Sequence, residues 1–221
     1  MRKVKQGNEE KRVSLHTIER MSTYRKVLEE LSQEGVENIF SHQLAELVGV
    51  TAAQLRRDLA TFGSFGSIST GYPVRPMIQT ISNLLGTENL QNVVLVGVGN
   101  LGQALLSYRG FEERGFHISV AFDIDPDKVG KVFVGRRCHH TRELETVLPY
   151  FVINMAILAC RPDNLQEIIN RLGKVGIHSI LNFVPKHIIA PAGVYVEDVD
   201  LSAKLEKLSF LNKLTRDANG Q

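Results

Sequence analysis

The chain has 221 residues, of which 43% are hydrophobic and 23% are charged, and its formal net charge at pH 7 is +2. This is ordinary globular composition, long enough for two small domains, and it excludes a generally polybasic protein and a disulfide framework. No apolar stretch approaches the roughly 18 residues that span a bilayer. The basic N-terminus is not a secretory signal, so we expect a cytoplasmic protein that has no membrane partner.

The first 13 residues are polar and charged and show no periodicity, so we expect a disordered basic tail at 1–13. Residues 1–26 contain eight lysines and arginines against three acids. Such a local excess of positive charge can meet the phosphates of a nucleic acid or can be a solvated tail. Charge alone does not decide between these alternatives.

The next segment, 14–88, has the pattern of a winged helix-turn-helix domain. Hydrophobic periodicity and capping residues predict helices at about 15–34, 41–48, 52–62 and 76–85, with a Gly-rich, β-branched hairpin at 64–74. The hairpin follows the third helix, as the wing does in winged-helix domains.

The second and third helices have the layout of a helix-turn-helix, with Ser41 and Thr51 as their N-caps and Gly49 in the turn between them. The third helix is predicted to expose four polar side chains, Gln54, Arg56, Arg57 and Asp58. Arginine and glutamine read base edges and phosphates in a major groove. An ordinary helical hairpin with a charged face is the alternative, but the wing that follows favours DNA binding.

From residue 89 the pattern changes to strands that alternate with helices, which is typical of a doubly wound parallel α/β sheet. Strands are predicted at 93–96, 118–122, 151–160, 179–183 and 194–196, and helices at 101–108, 142–148 and 164–172. Leucines spaced by four and three residues from Leu201 to Leu214 predict an amphipathic terminal helix. We therefore expect a Rossmann domain at 89–200 and a terminal helix with its tail at 201–221.

A glycine motif directly follows the first of these strands and opens a helix: Gly97-Val98-Gly99-Asn100-Leu101-Gly102. The first glycine makes the tight turn, the second lets the backbone approach a pyrophosphate, and the third lets helix and strand pack closely. A Rossmann-like domain that binds nothing is the alternative interpretation.

An acid after the second strand sharpens this prediction. Asp123 stands 21 residues after Gly102, where a carboxylate accepts hydrogen bonds from the adenosine ribose hydroxyls and repels the 2′-phosphate of NADP. NAD(H) is therefore favoured over NADP(H). Asp125 is the alternative acid, but Asp123 directly follows the strand.

Two stretches resemble the Rex family of redox-sensing repressors. Residues 54–66 resemble its recognition helix, and residues 96–111 resemble its nucleotide motif and the tyrosine segment that follows; the resemblance continues at 122–130, 176–185 and 199–202 and covers about 24–211. It implies a homodimer that binds palindromic operator DNA and swaps its C-terminal helix into the partner. It also implies that NADH closes the Rossmann domains and releases the DNA, while NAD⁺ competes weakly and leaves the protein able to bind DNA.

The resemblance implies roles for single residues. Tyr108 contacts the nicotinamide region and the partner's Asp200, and Lys26 completes this switch network at a position where the family more commonly has arginine. The matched segments also assign Asn182 and Phe183 to the cofactor and Phe65 to DNA. The wing has Ser67-Ile68-Ser69 where the family usually carries a Lys-Arg pair, so we expect it to contribute less to DNA affinity.

The strongest rival interpretation is an NAD-dependent oxidoreductase. Dehydrogenases normally add a substrate domain and a proton-transferring side chain, whereas the chain after Asn92 is used up by the sheet and the terminal helix, so we expect no enzyme and no catalytic residue. A non-regulatory module that binds CoA or a nucleotide is the third interpretation, and it leaves the helix-turn-helix unexplained. The two cysteines have no metal-ligand spacing; Cys160 is expected in the core, and redox reactivity stays open for Cys138.

Overall fold

The computed structural model describes the backbone of residues 2–6, 9–63, 65 and 71–218, and the side chains in these ranges except those of residues 2–12 and 218. The chain divides into two compact units, Met1–Asn89 and Leu90–Gln221. The boundary lies one residue beyond the expected one. None of the described helices is long and apolar enough to cross a membrane.

The first unit is mainly helical. Its elements in chain order are β1 (Arg2–Gln6), β2 (Glu9–Val13), α1 (Leu15–Gln33), β3 (Asn38–Ile39), α2 (Ser41–Val48), α3 (Ala52–Phe62), β4 (Tyr72–Pro73) and α4 (Val74–Leu85). All four helices supply buried side chains to one core, among them Tyr24, Leu44, Leu55 and Met77. The four predicted helices are therefore present, and α4 begins two residues before Pro76, whose missing N–H is tolerated in the first turn of a helix.

The expectation of a disordered tail at 1–13 is corrected for the described residues. β1 and β2 pair antiparallel, from Arg2 opposite Val13 to Gln6 opposite Glu9, and Val13 is buried in the core of the unit. The argument from composition overlooked the Gly-Asn pair at 7–8, a sequence typical of two-residue hairpin turns. That pair itself lies outside the described residues.

Most of the predicted wing hairpin also lies outside the described residues, namely 64 and 66–70, which include Ser67-Ile68-Ser69. The part that is described joins an earlier segment of the chain, since β4 pairs antiparallel with β3. Phe65 is buried in the core of the unit.

The second unit contains a seven-stranded sheet. Its elements in chain order are β5 (Gln91–Val96), α5 (Asn100–Leu106), α6 (Arg109–Glu112), β6 (Phe116–Asp123), β7 (Val132–Phe133), β8 (Arg136–His140), α7 (Leu144–Val147), β9 (Met155–Leu158), α8 (Leu165–Lys174), β10 (Ser179–Asn182), β11 (Tyr195–Asp198) and α9 (Leu201–Ala218). The strand order is β11-β10-β9-β5-β6-β8-β7, and every neighbouring pair is parallel except β7 with β8.

The strand order reverses at β5. The chain moves from β5 to β6 and β8 on one side, then returns to β9, β10 and β11 on the other. Successive side chains of β5 enter two apolar clusters, with Val94 in one and Leu95 in the other, because alternate side chains of a strand point to opposite faces. Ligands of such sheets bind beyond the carboxyl ends of the strands at this reversal, here β5 and β9.

Several element bounds differ from the sequence prediction. The predicted strand 151–160 shrinks to β9, and Val152 is 91% exposed, so apolar composition alone extended the prediction into a loop. The predicted helix 142–148 is only α7 between two 3₁₀ turns. The predicted helix 101–108 ends two residues early, as α5, and a short helix α6 follows it. The β7–β8 hairpin went unpredicted because β8 is a polar sequence near the sheet edge.

The terminal helix α9 carries the predicted leucine stripe. All of its described side chains are exposed within this single chain, including Leu205 and Phe210. The stripe is therefore not part of the core of the chain that carries it.

Candidate functional site

A cleft of about 580 Å³ lies at the carboxyl ends of β5, β6 and β9, where the strand order reverses. Three segments line it. The glycine loop after β5 contributes Gly97 and Gly99, the acidic turn after β6 contributes Asp123 and Lys128, and the segment after β9 contributes Cys160 and Arg161. Asn100 and Leu101 also line it. The volume and position are those of a small-molecule site in an open α/β sheet.

The three glycines of the loop differ in what a side chain would meet at each position. Gly97 has a φ of +102°, and a Cβ there would lie 2.5 Å from the backbone of Ala159. A Cβ on Gly102 would lie 2.0 Å from the carbonyl oxygen of Gly97, so only glycine lets α5 approach the loop this closely. A Cβ on Gly99 would meet no atom within 4 Å. The predicted turn and close packing are present, and the space at Gly99 faces the cleft.

Asp123 is the last residue of β6 and is buried. Its Oδ2 accepts a hydrogen bond from the Val98 N–H at 2.7 Å, and its Oδ1 accepts one from the Asp125 N–H at 3.0 Å. The Lys128 Nζ lies 3.3 Å from Oδ2 of Asp123 and 3.4 Å from Oδ2 of Asp125. The acid is thus held at the cleft edge by two backbone donors and one cation.

Burial by itself raises the pKa of Asp123, but the N–H groups of Asp125 and Val98 together with the Lys128 ammonium outweigh it, so the pKa lies below its ordinary value. The carboxylate is therefore ionised at neutral pH. A carboxylate has about four lone-pair sites, and the three contacts above leave acceptor capacity for a ribose hydroxyl.

Tyr108 lies between α5 and α6 and is 59% exposed. Its ring meets Phe111 edge-on, with 5.0 Å between ring centroids. A Cβ on Gly110 would lie 2.6 Å from the Tyr108 ring, so this glycine makes room for the tyrosine. The exposed ring is available to a ligand or a partner.

Asn182 and Phe183, both predicted cofactor contacts, do not appear in the described lining of the cleft. Asn182 is buried, and its Nδ2 donates to Oδ1 of Asp198 at 2.7 Å and to the Val184 carbonyl at 3.0 Å. It therefore ties β10 to β11. Phe183 packs against the apolar cluster on one face of the sheet.

The predicted helix-turn-helix geometry is present in the first unit. Thr51 caps α3, since its Oγ1 accepts a hydrogen bond from the Gln54 N–H at 3.1 Å. Ser41 is the first residue of α2 rather than its N-cap, which is Phe40. The Ser41 Oγ instead accepts a hydrogen bond from Nη1 of Arg56 at 3.1 Å, which links the two helices. Arg56 and Arg57 are both exposed.

Asp58 was predicted on the exposed face of α3, and this is wrong: it is 2% exposed. Its carboxylate accepts hydrogen bonds from Arg20 Nε at 2.6 Å, Tyr24 Oη at 2.7 Å and Gln54 Nε2 at 2.8 Å. Asp58 is three residues after the buried Leu55, and this helical spacing places both on the inner face of α3.

The hydrogen bonds around Asp58 fix its charge. Burial raises the pKa of Asp58, but hydrogen bonds from Arg20, Tyr24 and Gln54 outweigh it and lower the pKa. The hydrogen bond to Asp58 raises the pKa of Arg20, and burial followed by the hydrogen bond to Asp58 raises the pKa of Tyr24. α3 is therefore tied to α1 by an ionised pair with a phenol as the third member.

The three residues of the predicted switch network are each exposed. Lys26 lies on α1 next to Arg25, which is buried and donates to Ser82 and Thr87. Asp200 precedes α9, and its Oδ1 accepts a hydrogen bond from the Ala203 N–H at 3.0 Å.

The two cysteines differ in position. Cys138 is fully buried on β8, and burial raises its pKa to about 11, which argues against the redox reactivity left open above. Cys160 is half-buried and lines the cleft, and burial raises its pKa to about 11 as well. Among the described residues there is no group of three or more side chains suited to a metal ion.

Sequence reasoning missed Lys128, Arg161 and two of the partners of Asp58, namely Arg20 and Tyr24. The rule that ligands meet the residues just after the strands at the reversal would have found Arg161. Arg20 and Tyr24 gave no comparable signal, because they lie on a different helix far from Asp58 in sequence.

Two protein-family models match the chain. A model described as a CoA binding domain matches residues 88–186, the region of the cleft. A model described as a putative DNA-binding protein N-terminus matches residues 12–60, the region of α1, α2 and most of α3.

The chain is similar to proteins named redox-sensing transcriptional repressor Rex. It is 42% identical to the one from Carboxydothermus hydrogenoformans over 194 residues, which cover 88% of this chain and 93% of that protein. It is 37% identical to the one from Clostridioides difficile, covering 92% of this chain and 97% of that protein.

Solved structures of similar fold come from RSP, described as a Rex-family repressor. The crystal structure of RSP in complex with β-NAD⁺ and operator DNA has a TM-score of 0.86 at 34% identity and covers 96% of this chain and 99% of that chain. The structure of RSP in complex with β-NADH has a TM-score of 0.84 at 34% identity, and the match covers 96% of this chain and 100% of that chain.

Proposed function

The chain belongs to the Rex family of redox-sensing transcriptional repressors, and from that premise we propose that it represses transcription according to the NADH/NAD⁺ ratio. NADH releases it from operator DNA, whereas NAD⁺ competes for the same cleft and leaves it able to bind DNA. The observation that carries this proposal is the ionised Asp123 beside a glycine loop on one unit, with exposed Arg56 and Arg57 on a helix-turn-helix of the other.

The cleft is suited to a dinucleotide laid across the reversal of the strand order. Asp123 accepts hydrogen bonds from the adenosine ribose hydroxyls, and its negative charge disfavours a 2′-phosphate there. The open space at Gly99 lets the pyrophosphate approach the backbone of the loop. Asn182 and Phe183 support this site through β10, which neighbours β9 in the sheet.

Charge explains the preference for the reduced cofactor. The oxidised nicotinamide ring carries a positive charge and the reduced ring does not. A closed apolar pocket prefers the neutral ring, because burying a charge without a partner is costly. The exposed ring of Tyr108 is the side chain that we assign to the nicotinamide region.

On the DNA side, α3 is the recognition helix. Arg56 and Arg57 contact base edges or phosphates. Ser41 and Thr51 lie at the starts of α2 and α3, where they contact the sugar-phosphate backbone of the DNA. The Nε2 of Gln54 is engaged by Asp58, which leaves its Oε1 as the group that meets a base. Phe65 acts from the core of the unit, where it supports the segment that follows α3.

The protein acts as a homodimer with a swapped terminal helix. The support is the exposed leucine stripe of α9, which lacks apolar cover from the described residues of its own chain. In this arrangement Tyr108 meets the partner's Asp200, and Lys26 of α1 completes the network. A lysine makes this contact as a single point charge, whereas an arginine could form a bidentate pair with the carboxylate. The role is regulatory, and no described residue is assigned to catalysis.

The direct test is binding of the full chain to a palindromic operator duplex, titrated separately with NADH and NAD⁺ at one salt concentration. We expect micromolar or tighter binding that NADH weakens by at least about tenfold and that NAD⁺ leaves nearly unchanged. A tenfold effect is a coupling of about 1.4 kcal/mol, within the usual range of about 1–3 kcal/mol. Release by both cofactors alike, or by neither, would contradict the proposal.

A further inference from the structure

Arg161 is a cation of the cleft that has no part in the proposed function. It is exposed, directly follows Cys160 beyond the carboxyl end of β9, and lines the cleft with Gly97 and Gly99. The glycine loop lies against this segment so closely that a Cβ on Gly97 would be 2.5 Å from the backbone nitrogen of Cys160. Arg161 therefore stands beside the loop to which we assign the pyrophosphate.

The described lining of the cleft contains two cations, Lys128 and Arg161. Lys128 is engaged by Asp123 at 3.3 Å and by Asp125 at 3.4 Å. The guanidinium of Arg161 makes no hydrogen bond or ion pair with any described side chain, although Asp163 also lines the cleft. Arg161 is thus the cation of the lining whose charge is left for a ligand.

The two cations belong to opposite halves of the site. The acid at the end of β6 marks the half that holds the adenosine ribose, and a dinucleotide crosses the reversal of the strand order to reach the other half. That other half begins at β9, and Arg161 lies three residues beyond the last residue of that strand, Leu158. A dinucleotide bound in this way would have Arg161 between its diphosphate and its nicotinamide.

We infer that Arg161 pairs with the diphosphate of the dinucleotide and widens the preference for NADH over NAD⁺. A planar guanidinium donates two parallel hydrogen bonds to phosphate oxygens, which a lysine does not. A positive side chain on the nicotinamide half also repels the oxidised ring, which is a cation, and leaves the neutral reduced ring unaffected. The inference rests on the proposed function, because it assumes that the cleft binds NAD(H).

The experiment compares the wild type with Arg161→Gln, a substitution at an exposed position. Dissociation constants are measured for NADH, NAD⁺ and ADP-ribose, which carries the diphosphate without the ring. We expect NADH and ADP-ribose to bind about tenfold more weakly to the variant and NAD⁺ only about threefold, so that the NADH/NAD⁺ preference narrows about threefold.

Two control variants separate the parts of the argument. Arg137→Gln removes the same charge from an exposed position on β8 outside the cleft lining and should leave all three constants unchanged. Lys128→Gln changes the adenosine half of the site and should weaken the binding of NADH and of NAD⁺ by the same factor.

The outcomes distinguish this inference from the proposed function. If the wild type binds NADH but Arg161→Gln changes no constant, or weakens NADH and NAD⁺ equally, the inference is wrong and the proposed function stands. If the wild type binds neither NADH nor NAD⁺, the proposed function itself is wrong.

Discussion

Asp58 and Asp123 are both buried carboxylates whose pKa lies below its ordinary value, yet they serve different ends. Asp58 accepts hydrogen bonds from three side chains of its own unit, those of Arg20, Tyr24 and Gln54. Asp123 accepts from two backbone N–H groups and a lysine at the edge of a cleft. The first acid fixes one helix against another, whereas the second is positioned with acceptor capacity to spare for a ligand.

The comparison predicts its largest effect for Asp58→Ala. The variant removes a buried anion and leaves the Tyr24 hydroxyl and the Arg20 guanidinium without their partner. We expect the free energy of unfolding of the first unit to fall by about 3 kcal/mol, at the lower end for a broken buried pair because Arg20 is partly exposed. Urea unfolding followed by circular dichroism measures this, with operator binding assayed alongside.

Glu46→Ala is the matched control for this prediction, because Glu46 is exposed on the neighbouring helix α2. We expect it to change stability by less than about 0.5 kcal/mol. NADH binding by Asp58→Ala should stay at the wild-type level, since Asp123 lies in the other unit. A variant of wild-type stability that binds operator normally would show that Asp58 does not fix α3.

The next largest effect is expected for Asp123→Ala. Loss of the acceptor for the ribose hydroxyls should weaken NADH binding by about tenfold, which is the effect of losing one charged hydrogen bond. It should also lessen the discrimination against NADPH. Fluorescence titration with both cofactors measures this, and Asp125→Ala is the control. Loss of NADH affinity in Asp125→Ala alone would move the role to that residue.

The pH dependence of stability sharpens the comparison further. Since the pKa of Asp58 is lowered on folding, its contribution is fully present above the ordinary aspartate pKa, near about 4, and is lost as the pH falls through the lower folded value. We expect the first unit to keep its stability from pH 7 to about pH 5 and to lose it below about pH 4. Asp58→Ala should show a shallower loss, and equal slopes in both proteins would contradict the assignment.

The smallest effect concerns the thiols. Burial raises the pKa of both cysteines to about 11, so at pH 7 iodoacetamide should alkylate each far more slowly than a free thiol. Cys160 lines the cleft and Cys138 does not, so NADH should slow only the alkylation of Cys160. Mass spectrometry of the alkylated chain resolves the two sites, and rapid alkylation of Cys138 would refute its burial.

The parts of the molecule that the sequence predicted are those whose signals are local. A glycine motif between a strand and a helix, an acid after the next strand and two capped helices around Gly49 each lie within a short segment. The burial of Asp58 depends instead on α1, because Arg20 and Tyr24 come from a distant part of the chain. The local sequence of α3 therefore predicts exposure for Asp58 and does not reveal its hydrogen bond with Gln54.

The sheet shows the same limit. The buried part of β5, Val93–Val96, is continuously apolar because both faces of the strand are covered there, and this makes it visible in sequence. β8 contains arginine and histidine near the sheet edge, and its pairing with β6 and β7 depends on neighbours rather than on its own composition. The position of Arg161 beside the glycine loop likewise depends on a tertiary contact, since Gly97 lies against the backbone of Ala159 and Cys160.

The central claim is that one chain couples the cleft to the DNA-reading helix, and it is tested most directly by measuring NADH affinity with and without saturating operator DNA. Coupling between two binding sites is reciprocal, so the factor by which NADH weakens DNA binding must equal the factor by which DNA weakens NADH binding. We predict that operator DNA weakens the binding of NADH at least about tenfold and leaves the binding of NAD⁺ nearly unchanged. The same NADH affinity with and without operator would contradict the account.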